Sequence, residues 1–124
     1  MTKRKNVLLV DDDHAVTDYL QIKLGKAYDV QVTNEPRAVL TLARKQQPDL
    51  ILCDIDMPDM DGGDVCRVLS DDEQTRHIPI LYLTSMVSRE EVQMMGGQIG
   101  GRPGVSKDAP IEEILARIRV FIGG

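Results

Sequence analysis

A single α/β domain, built on a doubly wound parallel sheet of five strands with helices covering both faces, is the fold class the chain predicts. Two observations carry this expectation. Five short aliphatic runs recur along the chain without polar alternation, the form taken by strands buried on both sides. Between them lie longer stretches whose apolar residues recur at helical spacing, so strand and helix alternate from end to end.

The aliphatic runs occupy residues 7–10, 30–33, 50–53 and 80–83, with a weaker one at 104–106. After the first run, Asp13 is a candidate N-cap for a helix in which Val16, Tyr19, Leu20 and Leu24 fall on one face. Ala38, Val39, Leu42 and Ala43 share the face of a second helix, and Val65, Cys66 and Leu69 that of a third. The clearest stripe comes last: Ile111, Ile114, Leu115, Ile118 and Ile122, with Pro110 near its first turn and Glu112 and Glu113 inside it, all favourable at a helix N-terminus. One stretch breaks the pattern. Gly96, Gly97, Gly100, Gly101 and Gly104 crowd nine positions. A glycine inside a helix costs about 1 kcal/mol relative to alanine, so the fourth helix is expected to be short or frayed. Met94 and Met95, just before it, read either as packing residues or as part of a partner-facing surface.

At 124 residues the chain is long enough for one well-cored domain and too short for two. Twenty acidic against 15 basic residues give a net charge of −5, which disfavours direct nucleic-acid or anionic-membrane binding, and the basic start at Lys3, Arg4 and Lys5 is too short to reverse this. Cys53 and Cys66 form no CxxC and sit among aliphatic residues, as buried reduced thiols do. No apolar run approaches the roughly 20 residues of a membrane span. Residues 7–10 are too few for the core of a signal peptide, so a cytoplasmic location is expected.

In a doubly wound sheet, function gathers beyond the carboxyl ends of the strands. Those ends carry Asp11, Asp12 and Asp13, then Asp54, then Thr84 and Ser85, then Lys107. Each has an ordinary reading taken alone: a helix cap, a β-favouring threonine, a solvated loop lysine. Together they do not. Two carboxylates about 4 Å apart repel by roughly 4 kcal/mol at an effective dielectric near 20. Asp11, Asp12 and Asp54 with Lys107 leave a charge of −2, which one divalent cation neutralises. An oxygen-only donor set favours Mg²⁺, with His14 turned elsewhere as the next residue of a helix. A carboxylate beside such a cation can attack phosphorus and become an aspartyl phosphate, with Lys107 and the Thr84 hydroxyl meeting the anionic oxygens. The rim then moves from neutral to roughly −1, enough to bias neighbouring loops between two arrangements.

These residues stand in VLLVDDD, DLILCDIDMPDMDG and IPILYLTS, followed by Lys107, and from about Asn6 to Ile122 the chain resembles the receiver domain of bacterial two-component response regulators. The resemblance implies a single flavodoxin-like, five-stranded parallel sheet in the order 2-1-3-4-5 flanked by five helices. It implies that Asp54 is the phosphoacceptor, that Thr84 is the switch hydroxyl and that Lys107 is the phosphate-binding amine. The implied magnesium site comprises Asp12 directly, Asp11 mainly through water, Asp56 through its backbone carbonyl, and Asp54 itself. Met57–Pro58 and Asp61–Gly62 would shape the turn after the acceptor, and small Ser85 would leave room for the phosphoryl group. The implied function is phosphorelay: a phosphoryl group is taken from the phosphohistidine of a sensor histidine kinase or phosphotransfer protein. It is held, slowly hydrolysed, and used to control a downstream protein or a fused output domain, without the turnover of a conventional enzyme. Residues 1–124 read as the receiver domain alone with no output domain, Phe121 and Ile122 closing the last helix. A stand-alone regulator and a piece of a longer one both remain open.

Three departures from the family pattern stand out. Asp108 follows Lys107 where the family has proline, often after a cis bond; without proline such a bond costs about 3 kcal/mol, so a trans or altered loop is expected. Gly104 stands where the family carries a switch aromatic, and no aromatic occurs between residues 83 and 120. Switching is therefore expected to involve ordering of the glycine-rich segment. Asp56 and Met86 flank the site, the first to add repulsion or orient water, the second to exclude it. Two rivals remain. One is a receiver-like binding module that signals without phosphorylation. The other is a haloacid-dehalogenase-type phosphatase, to whose D-x-D the Asp54-Ile55-Asp56 triplet is similar, although there the metal-binding acids follow the nucleophile and here they precede it.

Overall fold

The computed structural model describes residues 4–58 and 60–123; Lys3 of the basic start and Asp59 of the acidic turn lie outside them. In chain order the elements are β1 (Asn6–Val10), α1 (His14–Leu24), β2 (Asp29–Thr33), α2 (Val39–Gln46, entered by a 3-10 turn at Pro36–Ala38), β3 (Leu50–Asp54), α3 (Gly62–Ser70), β4 (Ile80–Thr84), α4 (Arg89–Met94), β5 (Gln98–Ile99), β6 (Arg102–Ser106) and α5 (Ile111–Ile122). The sheet order is β2-β1-β3-β4-β6-β5. Its first five members run parallel, in the order the family resemblance implies, with β6 in the fifth place. The two-residue β5 is an added antiparallel edge.

The aliphatic runs of β1, β3 and β4 serve two cores at once, because successive side chains of a strand point to opposite faces. Val7, Leu9, Leu50, Leu52, Leu81 and Leu83 pack with Leu20 and Leu24 of α1 and Ile114 and Ile118 of α5. Leu8, Val10, Ile51, Cys53, Ile80 and Tyr82 pack with Val39 and Ala43 of α2 and with Val65, Cys66 and Leu69 of α3. A fully buried aliphatic side chain contributes about 1.5–3 kcal/mol relative to an exposed one, so burial on both faces anchors these three strands and the residues at their ends. Cys53 and Cys66 are buried free thiols, as expected.

Two expectations need correction. The run at 30–33 is not buried on both faces: β2 is an edge strand whose Val30 and Val32 are half-buried while Asp29 and Gln31 are exposed. Tyr19 is 52% exposed, and Thr17 takes its place among the buried residues of α1. Tyr19 instead lines a groove of about 250 Å³ between α1 and α5.

The glycine-rich stretch does shorten α4, which spans six residues, and Met94 and Met95 at its end are exposed. The glycines beyond it form no frayed helix. Gly96 and Gly97 turn the chain at positive φ, and Gly100 and Gly101, both at positive φ, make the two-residue turn of a β5–β6 hairpin. The Arg117 guanidinium from α5 clamps this hairpin by donating to the carbonyls of Gly104 (2.7 Å) and Gly97 (3.0 Å). A side chain at 104 would overlap Ile99, which the hairpin folds over that position.

Candidate functional site

Strands β1, β3, β4 and β6 deliver their carboxyl ends to one rim, and the sequence-predicted residues meet there. Asp11, Asp54 and Thr84 are all nine-tenths or more buried. One carboxylate oxygen each from Asp11, Asp12 and Asp54 lies within 4.8 Å of the others, with Asp12 nearest solvent. The Lys107 ammonium reaches Asp11 Oδ2 at 2.7 Å and Asp54 Oδ1 at 3.2 Å. Asp13 caps α1, accepting from the N–H of Ala15 at 2.9 Å and of Val16 at 3.4 Å, and takes no part in the cluster.

Local structure explains how each group is aimed. Asp11 Oδ1 accepts the Asp13 N–H at 2.9 Å, which turns the other oxygen toward Lys107. The Asp56 N–H donates to Asp54 Oδ1 at 3.3 Å. The turn after Asp54 closes because Gly62 begins α3 hard against the strand end: a Cβ there would lie 3.0 Å from both Asp54 O and Ile55 Cα. Asp61 and Asp64 form a reciprocal cap on that helix, which fixes the turn from the other side. The Lys107 N–H donates to Thr84 O at 2.7 Å, so the lysine and the threonine are tied through the backbone as well.

Burial first, and the Asp11 carboxylate second, push the Asp54 carboxyl up to about 6; Lys107 and the Asp56 N–H pull partly against them. Burial alone would lower Lys107, but hydrogen bonding and attraction to Asp11 and Asp54 outweigh it and hold the ammonium above its usual range. The three-carboxylate set contains oxygen donors only, faces one partly open side and carries more negative charge than one lysine can balance, which fits a hard divalent cation.

Asp56 contributes its side chain elsewhere than to the acidic cluster. Its Oδ2 accepts the Thr84 hydroxyl at 3.3 Å, while that hydroxyl oxygen accepts the Met86 N–H at 3.0 Å. Met86 itself is 75% exposed and does not cover the site. Two supports are not evident from the sequence pattern. Asn34 Nδ2 donates to Asp11 O (2.8 Å) and to Thr17 Oγ1 (3.0 Å), bracing the acidic loop from the end of β2. A signal for it exists, since Asn34 directly succeeds the second aliphatic run and so stands at a strand end like the other site residues. The other support is Asp108, whose carboxylate joins Ser106 to the start of α4. The peptide bond between Lys107 and Asp108 is trans.

Residues 7–119 match the family described as the response regulator receiver domain. The DNA-binding dual master transcriptional regulator RpaA of Synechocystis is 38% identical over 117 residues, covering 94% of this chain and 48% of that protein. The DNA-binding response regulator MtrA of Mycolicibacterium smegmatis is 37% identical over 119 residues, 95% of this chain and 50% of its own length. The chain thus spans about half the length of these curated relatives. Among solved structures, the chemotaxis protein CheY4 of Vibrio cholerae superposes with a TM-score of 0.81 at 27% identity, covering 97% of this chain and all of that one. With the motif, the sheet order and the clustered rim in agreement, this chain belongs to the receiver-domain family of two-component response regulators, the modules of phosphorelay signalling.

Proposed function

We propose that Asp54 is the phosphoacceptor of this receiver, with Asp11, Asp12, Thr84 and Lys107 as its working partners. The observation that carries the reading is the position of one buried carboxylate at the tip of the central strand, 3.2 Å from an ammonium group and within 4.8 Å of two further acids. An Asp54 oxygen attacks the phosphorus of a phosphohistidine, the P–N bond breaks, and the imidazole of a histidine kinase or phosphotransfer protein leaves. The Asp54 pKa near 6 still leaves the carboxyl mostly ionised, and so nucleophilic, at neutral pH. Lys107, already aimed at Asp54, meets one anionic oxygen of the transferred group, and the Thr84 hydroxyl exchanges Asp56 for another. Magnesium, held by the carboxylates of Asp11, Asp12 and Asp54 and by the Asp56 carbonyl, would supply the remaining positive charge when bound.

Water later attacks the phosphorus and regenerates the carboxylate, so the domain limits the life of its own signal without turning over a separate substrate. Residues 1–124 act as a receiver domain in the cytoplasm, where kinases present phosphohistidine. No helix among the described residues is long and apolar enough to cross a membrane. Control passes to a downstream protein or a fused output domain.

Incubation with acetyl phosphate and Mg²⁺ is expected to add one phosphoryl group per chain, stable in acid and lost in alkali, as read by intact-mass spectrometry. Failure to label, or labelling that ignores chelation of the metal, overturns the reading. The Asp56 carboxylate, which accepts the Thr84 hydroxyl at 3.3 Å, is the group we assign to orienting the attacking water. Asp56→Asn is therefore expected to lengthen the life of the phosphorylated form about tenfold. Met86→Ala, at an exposed side chain, is expected to leave it unchanged; decay rates of the labelled proteins provide the check.

A further inference from the structure

Asp108 occupies the position next to Lys107, and its carboxylate does something the family's proline has no group to do. Asp108 Oδ1 accepts the Ser106 hydroxyl at 2.5 Å and, from a different element, the backbone N–H of Arg89 at 3.1 Å. Arg89 is the first residue of α4, so this N–H is one of the donors that a helix start leaves without an intrahelical acceptor. The Asp108 N–H returns to Ser106 Oγ at 3.3 Å, closing a small ring around the buried serine. Arg89 Nε then donates to Glu113 Oε1 at 2.7 Å, joining the same end of α4 to the first turn of α5.

Helix α4 has six residues, too few to hold together by itself, so its buried Val92 and the tethers at its start decide where it sits. One tether that an aromatic at 104 would offer is absent, because Gly104 has no side chain and Ile99 fills the space. Besides the β4–α4 loop, whose Met86 N–H donates to Thr84 Oγ1, the rim reaches α4 through a second chain of covalent and hydrogen bonds: Thr84 O to Lys107 N–H, one peptide bond to Asp108, and Asp108 Oδ1 to Arg89 N–H. We propose that Asp108 is the positioning residue through which a shift of Lys107 toward a phosphoryl group reaches α4. Resting on Asp54 as phosphoacceptor, the proposal adds the route by which that event is transmitted. The differential contact a switch requires is the ammonium of Lys107, which meets Asp11 and Asp54 before phosphorylation and a phosphoryl oxygen afterwards. The β5–β6 hairpin is held by Arg117 from α5, separately from the Asp108 link.

The test is amide NMR on the full chain titrated with beryllofluoride and Mg²⁺. In the wild type, amides at Asp54 and Thr84 and those of α4 are expected to shift together. In Asp108→Ala the shifts at Asp54 and Thr84 persist while the α4 response falls about fivefold; Asp108→Asn, which keeps an oxygen acceptor, restores it. Hydrogen exchange without the analogue gives a second reading: the Arg89 amide exchanges about fivefold faster in Asp108→Ala and not in Asp108→Asn. Unchanged protection in β1 and β3 establishes that the variant is folded. An α4 response in Asp108→Ala equal to wild type, or an asparagine that fails to restore it, overturns the coupling alone. A wild type whose Asp54 and Thr84 amides do not move overturns the phosphoacceptor reading and the coupling with it.

Discussion

In the Asp54→Asn variant, labelling by acetyl phosphate is expected to disappear while the metal-free protein becomes more stable by on the order of 1–2 kcal/mol at neutral pH. The loss of labelling arises because an amide oxygen cannot form the acyl phosphate. The gain in stability arises from burial and from Asp11, which raise the Asp54 carboxyl from 3.8 to about 6 in the folded protein. The folded state therefore holds this proton more tightly than the unfolded chain does. Its contribution is fully present below about pH 4 and is lost as the pH rises to about 6, after which the wild type carries the cost of an ionised, crowded carboxylate. Urea unfolding at pH 4 and pH 7, without divalent metal, should show the variant's advantage growing with pH. An advantage that is absent or independent of pH contradicts the electrostatic account, and persistent labelling contradicts the acceptor assignment.

Lys107→Met has the opposite signature. The side chain is mostly buried and is the counter-charge to the fully buried Asp11, so its removal leaves uncompensated carboxylates and is expected to cost the metal-free protein about 3 kcal/mol. Millimolar Mg²⁺ should return much of that loss by mass action, since a cation that binds only the folded cluster stabilises it. Magnesium should also bind more tightly than to the wild type, the competing ammonium being gone. Labelling is expected to slow by about a hundredfold, the usual cost of deleting one group that meets developing charge. Thermal melts with and without Mg²⁺, together with titration calorimetry, check these expectations. A metal-free variant as stable as the wild type would mean that Lys107 is not the counter-charge of the cluster.

Much of the architecture was legible because strands buried on both faces cannot afford polar residues. Leu8 and Leu9 serve different cores, yet both must be apolar, and that doubled demand writes itself as an unbroken run. The same rule misled at residues 30–33, where a strand at the sheet edge needs only one apolar face and alternation was the better signal. Tyr19 misled for a related reason: helical spacing places it near the apolar stripe, but a groove beside α5 leaves it open. In the site, Asp11, Asp12, Asp54, Thr84 and Lys107 could be found from the residues at the carboxyl end of each strand, because parallel strands bring those ends to one edge. Asn34 and Asp108 could not be valued that way. Their role lies in which backbone atom each side chain reaches, and the partners, Asp11 O and Arg89 N, are 23 and 19 residues distant.

The glycine cluster marks the boundary most clearly. Composition alone established that residues 96–104 could not sustain a long helix, since each glycine there adds conformational entropy to the unfolded chain. That the same glycines build a hairpin, that Ile99 fills the space over Gly104, and that Arg117 holds both was decided by tertiary contact. So the local pattern determined the layers, the strand ends and the chemical character of the rim. Only the assembled fold decided the distances on which charge interaction depends, among them the 3.2 Å between Lys107 and Asp54, because an ion pair's strength is set by separation and burial, which residues 53 positions apart acquire only on folding.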